Sequence, residues 1–310
     1  MDNQSQVTEF IFLGLSQNPD VQKMIFVIFL FFYVTSLGAN LFIVVTIVYS
    51  PSLLSAPMYF FLAFLSFLDA CFSSAIVPKV IVDSLYERKT ISFRGCMTQL
   101  FAEHFLAGAE VIILSAMAYD RYIAICKPLH YVTIMSRRLC LLLVGVAWAG
   151  GFLHSIIQMT FIIPLSFCGP NVIDHFMCDL YPLLKLSCTD THSIGLMVVA
   201  NSGLICIIIF ALLLISYGVI LHSLRKYSIE ARRKALSTCG SHVTVIVMFF
   251  VPCIIVYVRT PSTFYFDKTV AVFYTIMTPT LNPLIYTFRN AEVKNAMKRF
   301  WNRTTISIEK

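Results

Sequence analysis

Long apolar stretches alternate along the chain with short segments in which charged residues gather. A helix crossing about 30 Å of hydrocarbon needs roughly 20 apolar residues, and lipid offers no partner for an open backbone group. The charges therefore mark the breaks between spans. Residues 24–49 carry no charge, 58–77 carry only Asp69, and 97–119 carry only Glu103 and Glu110. Residues 139–167, 194–224, 235–258 and 269–288 are each free of Asp, Glu, Lys and Arg. The pattern predicts an all-α integral membrane protein of seven spans with its ends on opposite sides. It divides into an outer tail over 1–23, a membrane domain over 24–288 and an inner tail over 289–310.

Composition agrees. Hydrophobic residues make up 58% of the 310 and charged ones 13%, against roughly 45–50% and 25% in soluble domains. A net charge of +7 would suggest nucleic acid in a soluble protein, but here the basic residues sort by side. With the amino terminus outside, 15 of the 23 Lys and Arg fall on inner segments, as the positive-inside bias requires. This orientation excludes a nucleic-acid partner and puts the Asn3-Gln4-Ser5 sequon on the glycosylated side, while the sequon at Asn302 is expected to be silent. No basic start followed by an apolar stretch precedes Met24, so the first span is expected to direct insertion.

Ionisable groups at membrane depth are functional candidates. Glu103 and Glu110 lie seven apart, near one helix face and roughly 10 Å apart along the axis. Asp69 and Glu110 suit either a sodium ion or a neutral polar network. Glu103 and His104, in the outer half of span three, either face a ligand cavity or hydrogen-bond the neighbouring loop. At the inner end of span three, Asp120-Arg121-Tyr122 pairs an acid with an arginine that a cytoplasmic partner can receive once it is released. Asn282-Pro283 with Tyr286 removes a backbone hydrogen bond within span seven, giving a bend that polar groups can line. Cys96, Cys168, Cys178 and Cys188 fall on the oxidising side, where four thiols allow three pairings. The other six cysteines read as small buried hydrophobes.

Several segments together resemble the vertebrate odorant receptors, rhodopsin-like receptors that couple to G proteins. They are FIFLGLS at Phe10–Ser16, PMYFFLAFLSFLD at Pro57–Asp69, MAYDRYIAICKPLHY at Met117–Tyr131, Ser216-Tyr217, KALSTCGSH at Lys234–His242 and PTLNPLIYTFRN at Pro279–Asn290. The resemblance covers nearly the whole chain. It implies a rhodopsin-like seven-helix bundle with a short amphipathic helix after span seven, placed in the plasma membrane of sensory cilia. It also implies Cys96–Cys178 and Cys168–Cys188 disulfides. A pocket for small, mostly apolar volatiles is implied among spans three, five, six and seven, at Glu103, His104, Ala107, Gly108, Asn201, Ser202, Ile205, Cys206, Phe250, Ile254, Tyr257 and Thr275. Asp120, Arg121, Tyr122, Tyr217, His242, Asn282, Pro283 and Tyr286 would form the switch that opens a groove for a stimulatory, olfactory-type G protein and so raises cyclic AMP. The basic residues before span six would meet either the G protein or anionic membrane lipid, with lipid favoured for Arg232 and Arg233.

Two departures matter. Phe249-Phe250-Val251-Pro252 stands where the family usually has phenylalanine, tyrosine and glycine, so a hydroxyl is missing at Phe250. Lys234 and His242 stand at the base of span six where many other receptors carry an acid, leaving Asp120 or His242 to hold Arg121 at rest. Intramembrane acids also raise the alternative of a transporter or channel, but no internal repeat or second broken-helix half accompanies them. An enzyme is not expected, because His104, His154 and His242 are scattered and no nucleophile motif or metal-ligand spacing is present. No cofactor is expected beyond the sodium ion.

Overall fold

A computed structural model describes residues 7–167, 170–258, 264–289 and 292–299. Each of the first four spans starts where its local sequence can satisfy or dispense with the free amides of a helix start. Pro19–Val48 opens on Pro19, with the Asn18 side chain accepting from the Asp20 amide. Pro57–Asp83 opens on a proline, whose missing N–H costs nothing at that position. Phe93–Cys126 and Arg137–Ile162 are capped by Ser92 and Ser136, which accept from the Gly95 and Leu139 amides. The fourth helix ends at Ile162, short of the Phe167 that charge alone predicts, because Pro164 follows.

Span five runs from His192 to Lys226 and passes through a π-helical stretch at Val199–Leu204. Span six is Ile229–Val258, with Pro252 inside it. Among the described residues, six helices are long and apolar enough to cross a membrane by length and composition. The seventh is the continuous helical run Phe264–Val272, Phe273–Met277 and Thr278–Arg289, whose middle segment is again π-helical. Residues 292–299 are helical as well, with Val293 and Ala296 buried one turn apart.

Burial is inverted relative to a water-soluble protein. Leu142, Phe152, Leu153, Leu212 and Ile215 are exposed on the outer faces, while Asn40, Asp69, Glu103, Glu110, Asp120, Gln158 and His242 are buried inside. Interhelical packing relies on small residues, which let backbones approach. A Cβ added to Gly151 would lie 2.4 Å from the Phe105 carbonyl oxygen, so spans three and four meet backbone to backbone. Polar side chains complete the ties. Asn40 Nδ2 donates to the Pro279 carbonyl at 2.9 Å, holding span one on span seven, and the Ser155 hydroxyl donates to the Phe101 carbonyl at 2.8 Å.

The segment before span one is structured. Glu9–Phe12 (β1) pairs antiparallel with Lys89–Ser92 (β2), Glu9 opposite Ser92, and parallel with Val172–Ile173 (β3), Ile11 opposite Val172. Alternation along β1 buries Phe10 and Phe12 on one face. Gly14 ends the strand with a φ of 71°, a conformation in which any side chain is strained. Its carbonyl accepts from Lys268 Nζ at 3.0 Å, and Lys268 also reaches Asp174 at 2.5 Å, so the first segment, the loop after span four and the start of span seven are clasped together. Phe10, Phe12, Cys96, Ile173, Cys178, Leu180 and Val198 form an outer apolar layer separate from the main core.

Candidate functional site

A cavity of about 310 Å³ opens among spans three, four, five and six. Its wall is mostly apolar, with His104, His154, Asn201, Ser202 and Tyr257 as polar points. These are set by local bonds. His104 Nδ1 lies 3.0 Å from the Leu100 carbonyl oxygen, which only a protonated Nδ1 can satisfy, so Nε2 is left as an acceptor facing the Tyr257 hydroxyl at 3.5 Å. His154 hydrogen-bonds Asn201 and stacks on His104 at 5.8 Å. Gln158 Nε2 donates to the Ser202 hydroxyl at 2.8 Å, joining spans four and five. Asn201 Nδ2 is buried without a partner.

Of the twelve pocket residues expected from the sequence, His104, Ala107, Gly108, Asn201, Ser202, Ile205, Cys206 and Tyr257 are on this wall. The remaining four lie elsewhere. Glu103 turns to a second, smaller cavity of about 30 Å³ between spans two, three, six and seven, where it accepts from the Tyr274 hydroxyl at 3.2 Å. Phe250 is fully buried and stacks on Phe210 at 5.7 Å, leaving its neighbour Phe249 to line the cavity. Thr275 is buried with its hydroxyl on the Ala271 carbonyl, and Ile254 packs against the core. For Glu103, Phe250 and Ile254 a rotation of one helix position decides the outcome, which spacing alone leaves open, whereas Thr275 is absent because span four and not span seven closes this cavity.

Asp69 and Glu110 are in hydrogen-bonding contact deep in the bundle. Asn282 Nδ2 donates to both Asp69 oxygens, at 3.2 and 3.0 Å, so the polar residue before Pro283 faces span two. Asn282 Oδ1 and Glu110 Oε1 are buried without partners among the described residues. Two touching carboxyls need a proton or a cation between them. Among the described residues no group of three or more His, Cys, Asp and Glu is arranged to hold a metal ion, so a cation here depends on two carboxyls and an amide oxygen.

At the inner end, Arg121 grips its neighbour. Its Nε and Nη2 donate to Asp120 Oδ2 at 2.9 and 2.5 Å, and the Tyr131 hydroxyl donates to Asp120 Oδ1 at 2.7 Å. Asp120 is wholly buried. Of the two candidate locks, Asp120 is the one engaged, while His242 Nδ1 meets the Tyr217 hydroxyl instead. Tyr286 is buried with an unpartnered hydroxyl, and Tyr122 is half-buried beside the core. Span three thus carries cavity residues at its outer end and the gripped arginine at its inner end.

The family model for olfactory receptors matches residues 29–303. Human olfactory receptor 4A47 is 59% identical over 307 residues, covering 99% of both chains. This chain belongs to the olfactory receptor family. Human olfactory receptor 4S2 is 59% identical over 303 residues, 98% of this chain and 97% of that one. Mouse olfactory receptor 4B13 is 57% identical over 303 residues, 98% and 99% of the two chains. The protein is accordingly an odorant-sensing G-protein-coupled receptor of the plasma membrane, and not an enzyme.

In this olfactory receptor the Cys96–Cys178 disulfide ties the loop after span four to the top of span three. Cys188 is also disulfide-bonded. Cys168, Asn3 and the end of the inner tail lie outside the described residues. Sequence reasoning missed His154, Leu153 and Ile157 of span four as cavity residues, together with Ile209, Phe249 and Cys253. It also missed Tyr131 and Tyr274, the partners of the buried span-three acids Asp120 and Glu103. Tyr131 sits inside a segment that the resemblance already singled out, but nothing in its spacing says that the loop folds back on Asp120.

Proposed function

We propose that the 310 Å³ cavity binds a small, mostly apolar volatile, and that agonist binding favours a conformation able to engage a stimulatory, olfactory-type G protein and raise cyclic AMP. The supporting observation is the cavity itself: an apolar chamber of small-molecule size with a few fixed polar groups. Its wall includes Phe249, Cys253 and Tyr257 of span six, the same helix that carries His242 against Tyr217 at the inner end. An agonist that binds the open arrangement more tightly shifts the population toward it. Releasing Arg121 from Asp120 then frees a charged donor for the G protein. Arg232 and Arg233, exposed at the inner start of span six, face anionic lipid headgroups.

Asp69 and Glu110, with Asn282 Oδ1 unpartnered beside them, offer the oxygen donors that a hard cation takes. We assign them to a sodium ion that favours the resting state. Replacing sodium by a bulky organic cation is expected to raise basal activity and lower thermal stability. Unchanged values in both would assign the site to a proton.

The deciding experiment is cyclic AMP measured in cells that express the receptor with an olfactory-type G protein, screened against a broad panel of volatiles. A dose-dependent rise that Arg121→Ala abolishes without loss of surface expression is expected. Full coupling by Arg121→Ala would remove the switch assignment.

A further inference from the structure

We propose that the ligand reaches this cavity from the lipid bilayer, through a portal between spans four and five, and not from the extracellular water. The proposal rests on the cavity being the ligand site. Span four packs along span three, and span five along spans three and six, whereas spans four and five touch each other only sparsely. Leu153 and Ile205 line the cavity, yet they are 60% and 43% exposed on the lipid-facing surface. Ile157 and Ile209, also on the wall, lie one turn along each helix and are only partly covered. The same side chains therefore face hydrocarbon on one side and the chamber on the other.

The outer end is built in the opposite way. Met159 and Ile162 of span four and Val198 of span five are buried together in the outer apolar layer, with Cys178, Leu180 and Leu183. The Tyr181 hydroxyl donates to the Tyr257 carbonyl at 3.1 Å, fixing the loop over the cavity's edge. No residue of that loop lines the chamber among the described residues. Just below this layer the buried Gln158–Ser202 hydrogen bond bridges the two spans and forms the upper rim of the gap. The π-helical stretch at Val199–Leu204 sets the register that brings Ser202 to Gln158. An apolar volatile concentrates in the membrane before it meets any receptor, since each buried methylene favours hydrocarbon by about 0.8 kcal/mol. A lipid-side portal with a sealed outer face uses that partition.

Cys206, a half-buried free thiol on the wall, reports arrival in the chamber. Purified receptor in phosphatidylcholine nanodiscs is treated with octyl methanethiosulfonate or with its charged trimethylammonium-ethyl counterpart, and Cys206 modification is followed by peptide mass spectrometry. The octyl reagent is expected to react faster by roughly tenfold or more. Leu153→Trp or Ile205→Trp should slow it to a similar degree, and Leu153→Ala should speed it. Both positions face lipid, so the fold tolerates the changes, which a thermal melt verifies. Equal rates for the two reagents, indifference to the tryptophans, or no modification of Cys206 would overturn the portal. None of these outcomes depends on G-protein coupling, so the functional proposal is tested separately.

Discussion

Glu103 and Asp120 are both carboxyls buried in span three, and their partners give them different work. Asp120 accepts from Arg121 and from Tyr131, so its charge is matched. Among the described residues Glu103 accepts only from Tyr274 and keeps Oε2 unpartnered, turned from the larger cavity. Glu103→Gln is therefore expected to leave the rank order of agonists unchanged in dose–response assays; a loss of amine agonists alone would return the carboxyl to the ligand. In the outer loop, burial pushes the Asp179 carboxyl up to about 6 from 3.8, while burial and the nearby Lys268 lower His175 to about 3 from 6.5. The signs differ. Folded Asp179 keeps its proton where the unfolded chain has lost it, so its contribution is full below 3.8 and lost as pH rises through about 6. The His175 contribution is full above 6.5 and lost as pH falls toward 3. Asp179→Asn, which keeps an oxygen for the Leu180 amide, should gain stability relative to the parent between pH 4 and pH 7, by at most roughly 3 kcal/mol. Thermal melts of the two proteins across that range measure it, and parallel curves would contradict the burial argument.

Span four shows how one element can present two unlike faces. Its glycines at 150 and 151 lie against span three, where an added Cβ would meet Ile112 Cδ1 at 2.5 Å or the Phe105 carbonyl oxygen at 2.4 Å. Gly145, in the same helix, has open space around it. Gly151→Val should therefore destabilise the receptor by about 1–3 kcal/mol, seen as a lower melting temperature and reduced surface expression, while Gly145→Ala should be neutral or slightly stabilising. A Gly151→Val protein as stable as the parent would mean that spans three and four slide freely, against the close approach described above. Span four reads in sequence as uniformly apolar. Its glycines are visible there, but which of them meets a backbone depends on the helix opposite.

At the scale of the whole molecule, the outer sheet, the Cys96–Cys178 bridge and the Lys268–Asp174 pair act as one lid. The bridge spans 82 residues of sequence, and loss of a disulfide in that range costs about 2–5 kcal/mol. Cys178→Ala should thus lower the melting temperature and surface delivery strongly, and rescue by lower growth temperature would show that the defect is stability. If Cys178→Ala kept full stability, the lid would be held by its apolar layer alone.

The sequence by itself determined the seven spans and the family, predicted their orientation and set an acid beside Arg121, because each rests on local chemistry; that Asp120 and not His242 holds the arginine came from the tertiary structure. Hydrocarbon excludes charge over a fixed length, basic residues stay inside, and Asp120 is adjacent to Arg121. It could not place Glu103 away from the main cavity, bring Tyr131 to Asp120, pair the FIFLGLS segment into a sheet or leave a gap between spans four and five. Those depend on how far each helix is rotated and where its π-helical turns fall. In an all-round apolar helix, no hydrophobic stripe in the sequence records the rotation. Only the packing of one span against the next decides it.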